Sequence, residues 1–294
     1  MKIVEGKIPF MGFETYYRVV GEENPDKAPL ILLHGGPGST HNYFEILDAV
    51  AEEDQRQFIM YDQIGCGNSY VDGHPELWTR ETWVKELETI RDFLGISECH
   101  LLGQSWGGML VLEYICNYQH GGVKSIILSS TLSSSLLWGQ EQMRMIKELP
   151  VDMQEAIYEA QKSGNYDSPE NKRAEAEFML RHCSGKFSES DPECLRRKKK
   201  HGDEAYVTAW GPNEFTPLGT LKDFDVTEQL KEIREPVLII SGGNDMSTPF
   251  LAKTMYDRIP NSRWELFQYC RHMCYVEDYP RYSSLLKSWL NEHD

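Results

Sequence analysis

Short apolar runs recur along the chain and mark out a buried sheet. Leu30–Leu33 is wholly apolar, as strands buried on both faces of a parallel sheet are. Phe58–Tyr61, Cys99–Leu102, Val123–Leu128 and Pro236–Ser241 read as further strands, with Ser262–Gln268 the last. Residues 1–20 alternate instead, which predicts an opening hairpin of Lys2–Ile8 and Phe13–Val20. Between the strands, His41–Glu52, Thr79–Leu94, Met109–Tyr118, Phe250–Arg258 and Pro280–Leu290 read as helices. Strands that alternate with helices at this spacing predict an α/β architecture with a mostly parallel, doubly wound sheet.

The texture changes from about Ser133 to Leu221. The chain there is polar, rich in helix formers and without buried-strand signals. Trp138–Leu149, Asp152–Ser163, Ser168–His182 and Pro192–His201 look like successive helices, and the basic run Arg196–Lys200 reads as a solvated helix face. The expected organisation is a core in two parts, residues 1–132 and 225–294, with a helical cap inserted at residues 133–224.

Composition narrows the classes. The chain has 294 residues and 40% hydrophobic positions, enough for one large domain with an inserted lid. No run of eighteen apolar residues predicts a membrane span, and the charged N-terminus does not resemble a signal peptide. A cytoplasmic location is therefore expected. The net charge of −16 argues against nucleic acid or an anionic membrane as partner. The seven cysteines form no C-x-x-C pair and no His/Cys cluster with metal spacing, so free thiols and no metal or other cofactor are expected.

The chemistry concentrates in two glycine-rich turns. Gly103-Gln104-Ser105-Trp106-Gly107 reads G-x-S-x-G between a strand and a helix, which puts a serine hydroxyl at the apex of a sharp turn. His34-Gly35-Gly36-Pro37-Gly38 follows the strand Leu30–Leu33 and can turn backbone N–H groups toward a developing oxyanion. It lacks the Gly-Lys-Ser/Thr of a phosphate loop and the G-x-G-x-x-G of a dinucleotide site.

A serine needs an oriented base. His272 lies between the last sheet strand and the closing helix, and is the candidate. Asp245, just after the strand Val237–Ser241, is the candidate acid. The order Ser, acid, His is the one the nucleophile elbow uses in an α/β-hydrolase fold. The expected oxyanion donors are the N–H groups of Trp106 and Gly36, with Gly35 or Gly38 as alternatives for the second. His34 reads as structural, and the remaining histidines, His120 among them, as surface or packing residues.

These motifs together resemble the prolyl aminopeptidase (proline iminopeptidase) family of α/β-hydrolases, tricorn-interacting aminopeptidase-like subgroup. The loop Asp62-Gln63-Ile64-Gly65-Cys66-Gly67-Asn68-Ser69 and the segments Gly211–Phe215 and Gly219–Asp225 carry the same resemblance. It implies a serine exo-aminopeptidase that releases one N-terminal residue, proline or a broader apolar set, from short peptides through an acyl-enzyme. It also implies that Glu214 binds the free α-amine of the substrate. Tyr206 is the expected wall beside it. Where the family often carries a second glutamate after the triad acid, this chain has Met246, so strict proline preference is left open. The alternatives are an L-amino-acid amidase, a small-ester hydrolase, or a non-catalytic small-molecule receptor on a hydrolase scaffold.

Overall fold

A computed structural model describes residues 1–119 and 121–294, so His120 lies outside the described residues. The strands are β1 (Ile3–Phe10), β2 (Phe13–Val20), β3 (Leu30–Leu33), β4 (Phe58–Tyr61), β5 (Cys99–Gln104), β6 (Val123–Ser129), β7 (Val237–Gly242) and β8 (Ser262–Phe267). The core helices before the insertion are α1 (Asp48–Asp54), α2 (Arg80–Phe93) and α3 (Trp106–Asn117). The insertion holds α4 (Ser135–Ile146), α5 (Val151–Ser163), α6 (Pro169–His182), α7 (Glu193–Arg196) and α8 (Asp203–Ala209). The chain closes with α9 (Pro249–Tyr256), α10 (Cys274–Glu277) and α11 (Tyr279–Glu292).

The strands form one sheet in the order β1-β2-β4-β3-β5-β6-β7-β8. The β1–β2 and β2–β4 pairs are antiparallel, and every pair from β4 to β8 is parallel. From β3 the chain moves outward to β4, then returns past β3 to lay down β5 on its other side. Winding reverses at this β3–β5 junction, and the crevice beyond the carboxyl ends of two such strands is where open α/β sheets bind ligands. The two glycine-rich turns leave from the ends of β3 and β5.

Period-two alternation divides the core. Ile31, Leu33, Ile59, Tyr61 and Leu101 face one apolar cluster with α2 and α3. Leu30, Leu32, Phe58, Met60 and Leu102 face the other, against Phe44 and α11. All ten are essentially inaccessible to water. Burying each aliphatic side chain contributes roughly 1.5–3 kcal/mol. A charge at any of these positions would have no water on either side of the sheet.

The inserted helices leave after β6 and return before β7 through a narrow stem. Ser134 bridges Asp225, Ser135 N–H donates to the Phe224 carbonyl at 2.9 Å, and Val226 N–H to that of Ser133 at 2.9 Å. The Ser134 hydroxyl caps α4 by accepting from Leu137 N–H.

Two elements depart from the sequence pattern. His41–Glu52 splits into a 3₁₀ segment, His41–Leu47, followed by α1. The expected helix Pro192–His201 shrinks to the single turn of α7, and α8 forms beyond it. Between them the backbone bonds to the core instead of to itself. The Lys200 carbonyl accepts from Gly67 N–H at 2.8 Å, and Gly202 N–H donates to the Gly38 carbonyl at 2.8 Å. The run Arg196–Lys200 is therefore no continuous helix face.

Candidate active site

The elbow at the end of β5 holds Ser105 at φ 56° and ψ −123°, a conformation L-residues rarely adopt. Such a conformation costs on the order of 1–3 kcal/mol and must be imposed by its surroundings. Here Ser105 N–H donates to the Ser129 carbonyl on β6 at 3.0 Å, and the Ser105 carbonyl accepts from the Thr131 hydroxyl at 2.6 Å. Two glycines make the turn sterically feasible. A Cβ on Gly103 would strike the Gly107 backbone, and one on Gly107 would strike the Leu33 carbonyl. A side chain at Gly103 would push β5 and α3 apart, and one at Gly107 would push α3 off the end of β3.

The turn after β3 packs directly beneath. A Cβ on Gly35 would fall 3.1 Å from Ser105 Cβ. Hydrogen bonds fix the turn's shape. His34 Nε2 accepts from Gln63 N–H at 3.0 Å, while its Nδ1 lies 2.8 Å from the Gly35 carbonyl, so Nδ1 carries the proton. Burial pushes this imidazole down to about 4, which keeps it neutral and able to accept. Gln63 Nε2 donates to the His34 carbonyl at 2.9 Å, and Gln63 Oε1 accepts from the Trp106 indole at 2.8 Å. Gln63 thus ties the turn to the helix that follows the elbow. Gly35 N–H donates to Tyr43 Oη at 2.6 Å, and Tyr43 Oη donates to Gln104 Oε1 at 2.9 Å.

Gly35 N–H is thereby committed, and among the described residues the N–H groups of Gly36, Gly38 and Trp106 have no acceptor. Trp106 opens α3, where the helix supplies no acceptor and its dipole favours negative charge. The Trp106 side chain is buried in the core.

His272 and Asp245 meet at the ends of their loops. His272 Nδ1 lies 2.7 Å from Asp245 Oδ1, with both residues at least 97% buried (exposures of 3% and 1%). The same Oδ1 accepts from Ser247 N–H at 2.7 Å, and Oδ2 from Gly242 N–H at 3.3 Å. The carboxylate is satisfied on both oxygens and oriented toward the imidazole. The end of the cap helix α6 holds both loops: His272 N–H donates to the Cys183 carbonyl at 3.2 Å and Met246 N–H to the His182 carbonyl at 3.1 Å. Two other aspartates near these loops are used locally. Asp225 accepts from Ser134 and Thr227, and Asp278 caps α11.

Ser105, His272 and Gly36 line one cavity of 390 Å³, together with Glu214 and Tyr206 from the cap. Tyr206 Oη donates to Glu214 Oε1 at 2.9 Å. Burial raises the Glu214 carboxyl above the usual carboxylate range, opposed by the Tyr206 hydrogen bond and by His272 nearby. Trp138 and Trp210 do not line this cavity. Their indole N–H groups donate to the Glu214 carbonyl at 2.7 and 3.3 Å, fixing the backbone from which the carboxylate projects. Met246 lines the cavity in the position after Asp245, with Met179 and Cys183 also in the wall.

Sequence reading missed three contributors. Tyr43 orders the Gly35–Gly36 turn, yet nothing in the 3₁₀ segment marks its hydroxyl. Lys199 lines the cavity, although its run was read as solvated. Asp62 anchors its loop by accepting from His41 N–H and Asn68 N–H at 2.9 and 2.8 Å, and it pairs with His41 Nδ1 at 2.7 Å. Burial opposes charge on His41, but hydrogen bonds to Asp62 and Glu45 prevail and raise it to about 9. His41, read as an ordinary packing residue, is a buried cation. Among the described residues no group of three or more His, Cys, Asp or Glu could hold a metal ion. Among the described residues no helix is long and apolar enough to cross a membrane.

Residues 28–279 match the family described as the alpha/beta hydrolase fold. The chain is 57% identical to a proline iminopeptidase of Clostridium botulinum and 56% to one of Clostridioides difficile, in each case over 294 residues and the full length of both chains. A proline iminopeptidase of Lactobacillus helveticus is 55% identical, again over both full lengths. Among solved structures, VinJ superposes with a TM-score of 0.89 at 30% identity over 99% of each chain. The proline iminopeptidase of Mycobacterium smegmatis gives 0.86 at 32% identity, over 99% of this chain and 98% of the other. The chain belongs to the proline iminopeptidase family of the α/β hydrolases.

Proposed function

We propose that this member of the proline iminopeptidase family is a serine aminopeptidase that removes an N-terminal residue, proline above all, from short peptides. The observation that carries the reading is a single cavity lined by both halves of the chemistry, the Ser105–His272 side of the core and the Glu214 carboxylate of the cap. Full-length identity to proline iminopeptidases supports the choice of substrate.

The free α-ammonium of the substrate pairs with Glu214, which Tyr206 holds in place. This places the first carbonyl over Ser105. His272 Nε2 takes the Ser105 proton as Oγ attacks, and Asp245 orients the imidazole and stabilises its charged form. The N–H groups of Gly36 and Trp106 receive the oxyanion. His272 then protonates the departing amine, and water repeats the sequence on the acyl-enzyme. A blocked N-terminus would leave Glu214 desolvated and unpaired, so the cap selects exopeptidase substrates. Met246, Met179 and Cys183 supply an apolar wall suited to a pyrrolidine ring, with one carboxylate where relatives often use two.

The test is a panel of aminoacyl arylamides (Pro, Ala, Leu, Phe), each beside its N-acetylated twin. The reading requires turnover of the free compounds, Pro fastest, and none of the acetylated ones. Equal turnover of both forms would refute amine gating.

A further inference from the structure

The cavity also contains a cation that the reaction described above does not use. Lys199 lines it together with Ser105, Glu214 and His272. Its Nζ lies 5.2 Å from the centre of the Tyr43 ring, whose hydroxyl holds the Gly35–Gly36 turn. The neighbouring Lys200 turns elsewhere, with Nζ 3.3 Å from the Tyr70 ring centre.

Lys199 has no carboxylate partner among the described residues. The two nearest candidates are already committed. Glu45 takes both Arg197 nitrogens, at 2.7 and 3.1 Å, and also faces His41 at 3.5 Å. Asp62 is bonded to His41 and Asn68. Burial lowers the Lys199 ammonium from its ordinary value, as for a charge removed from water without a close partner. Asp203 shares the cavity mouth but is exposed, so solvent screens it.

A partly buried, unpaired ammonium is costly to keep unless something occupies it. The cavity is therefore polarised. Both charges line it: Glu214 is bonded to Tyr206 with His272 nearby, and Lys199 lies against Tyr43, whose hydroxyl accepts from Gly35 N–H. A dipeptide has the matching charges, an ammonium before its single amide and a carboxylate after it. The volume of 390 Å³ is near the lower end of the ~300–1,000 Å³ typical of ligand pockets, which suits a molecule of that size.

We infer that Lys199 binds the α-carboxylate of the residue on the leaving side of the scissile bond, so that the preferred substrates are dipeptides with a free C-terminus. This inference rests on the aminopeptidase reading and sharpens its substrate class. A charge-assisted hydrogen bond in this setting raises kcat/KM roughly 10-fold over a substrate without the charge.

The experiment compares Pro-Ala with its C-terminal amide, Pro-Ala-NH₂, by chromatographic detection of released proline. The wild-type enzyme should cleave the free dipeptide roughly 10-fold faster in kcat/KM, with the ratio falling as salt rises. Lys199→Met should bring the ratio close to one, and Lys199→Arg should keep most of it. A wild-type ratio at or below one would overturn the inference without any variant, as would an unchanged ratio in Lys199→Met. If both peptides are cleaved equally, only the role of Lys199 falls. If neither is cleaved, the aminopeptidase reading falls with it.

Discussion

The two sides of the cavity are built differently. On the core side, Asp245 accepts from two backbone N–H groups and meets His272, and Ser105 is clamped between Ser129 and Thr131. Each of these residues follows the carboxyl end of a strand, and its partners are mostly backbone. On the cap side, Glu214 depends on a tyrosine eight residues earlier and on two indoles that grip its carbonyl. Lys199 reaches the cavity from a stretch pinned to core loops. In the proposed reading the core side performs the acyl chemistry. The cap side holds the charges, Glu214 and Lys199, that in the same reading select the substrate.

Breaking the core side should cost most. Ser105→Ala removes the nucleophile and should lower kcat by about a million-fold while leaving substrate binding intact, measured by single-turnover kinetics and calorimetry. Asp245→Asn keeps the packing but favours the wrong imidazole tautomer, with an expected loss of roughly 10⁴-fold in kcat.

Changes on the cap side should act on KM first. Glu214→Gln should raise KM for free-amine substrates roughly 10- to 100-fold, through loss of a charge-assisted pair. The raised carboxyl of Glu214 also sets a pH dependence. As pH falls through that raised value the group gains a proton, loses its charge and releases the ammonium. KM should therefore rise on the acid side in the wild type, and this limb should flatten in Glu214→Gln. A KM–pH profile of both proteins checks it.

The smallest effect concerns stability alone. Glu86, buried beneath the Asp62 loop, accepts from Thr15 and from Ile64 N–H, and burial raises its carboxyl to about 8. Between its ordinary value and about 8 the unfolded chain loses this proton while the folded chain keeps it. Stability from this group is complete at acid pH and declines as pH rises through that window. Glu86→Gln mimics the protonated form, so its Tm should decline less than that of the wild type between pH 5 and pH 8, by thermal melts.

The same contrast explains what the chain disclosed in advance. The buried strands and both glycine-rich turns were legible because period and local sterics dictate them. Asp245 and His272 followed from chain order and strand ends. Glu214 was a candidate only through its segment's resemblance to a family, and no local rule would have singled it out. Lys199 was misread, because five consecutive basic residues after a helix start look like a solvated face. Only the backbone bonds of Lys200 and Gly202 to distant loops overrule that pattern, and they are invisible in a linear reading. The same holds for His41, whose charge depends on Asp62, twenty-one residues away.

The division of labour between core and cap can be tested in one set of rates. Proline arylamide and its N-acetyl twin are compared in the wild type and in Glu214→Gln, with kcat/KM as the readout. The account predicts a large preference for the free amine in the wild type, and its collapse in Glu214→Gln mainly through slower cleavage of the free-amine substrate. An unchanged preference in Glu214→Gln would contradict it and would place amine recognition somewhere other than the cap carboxylate.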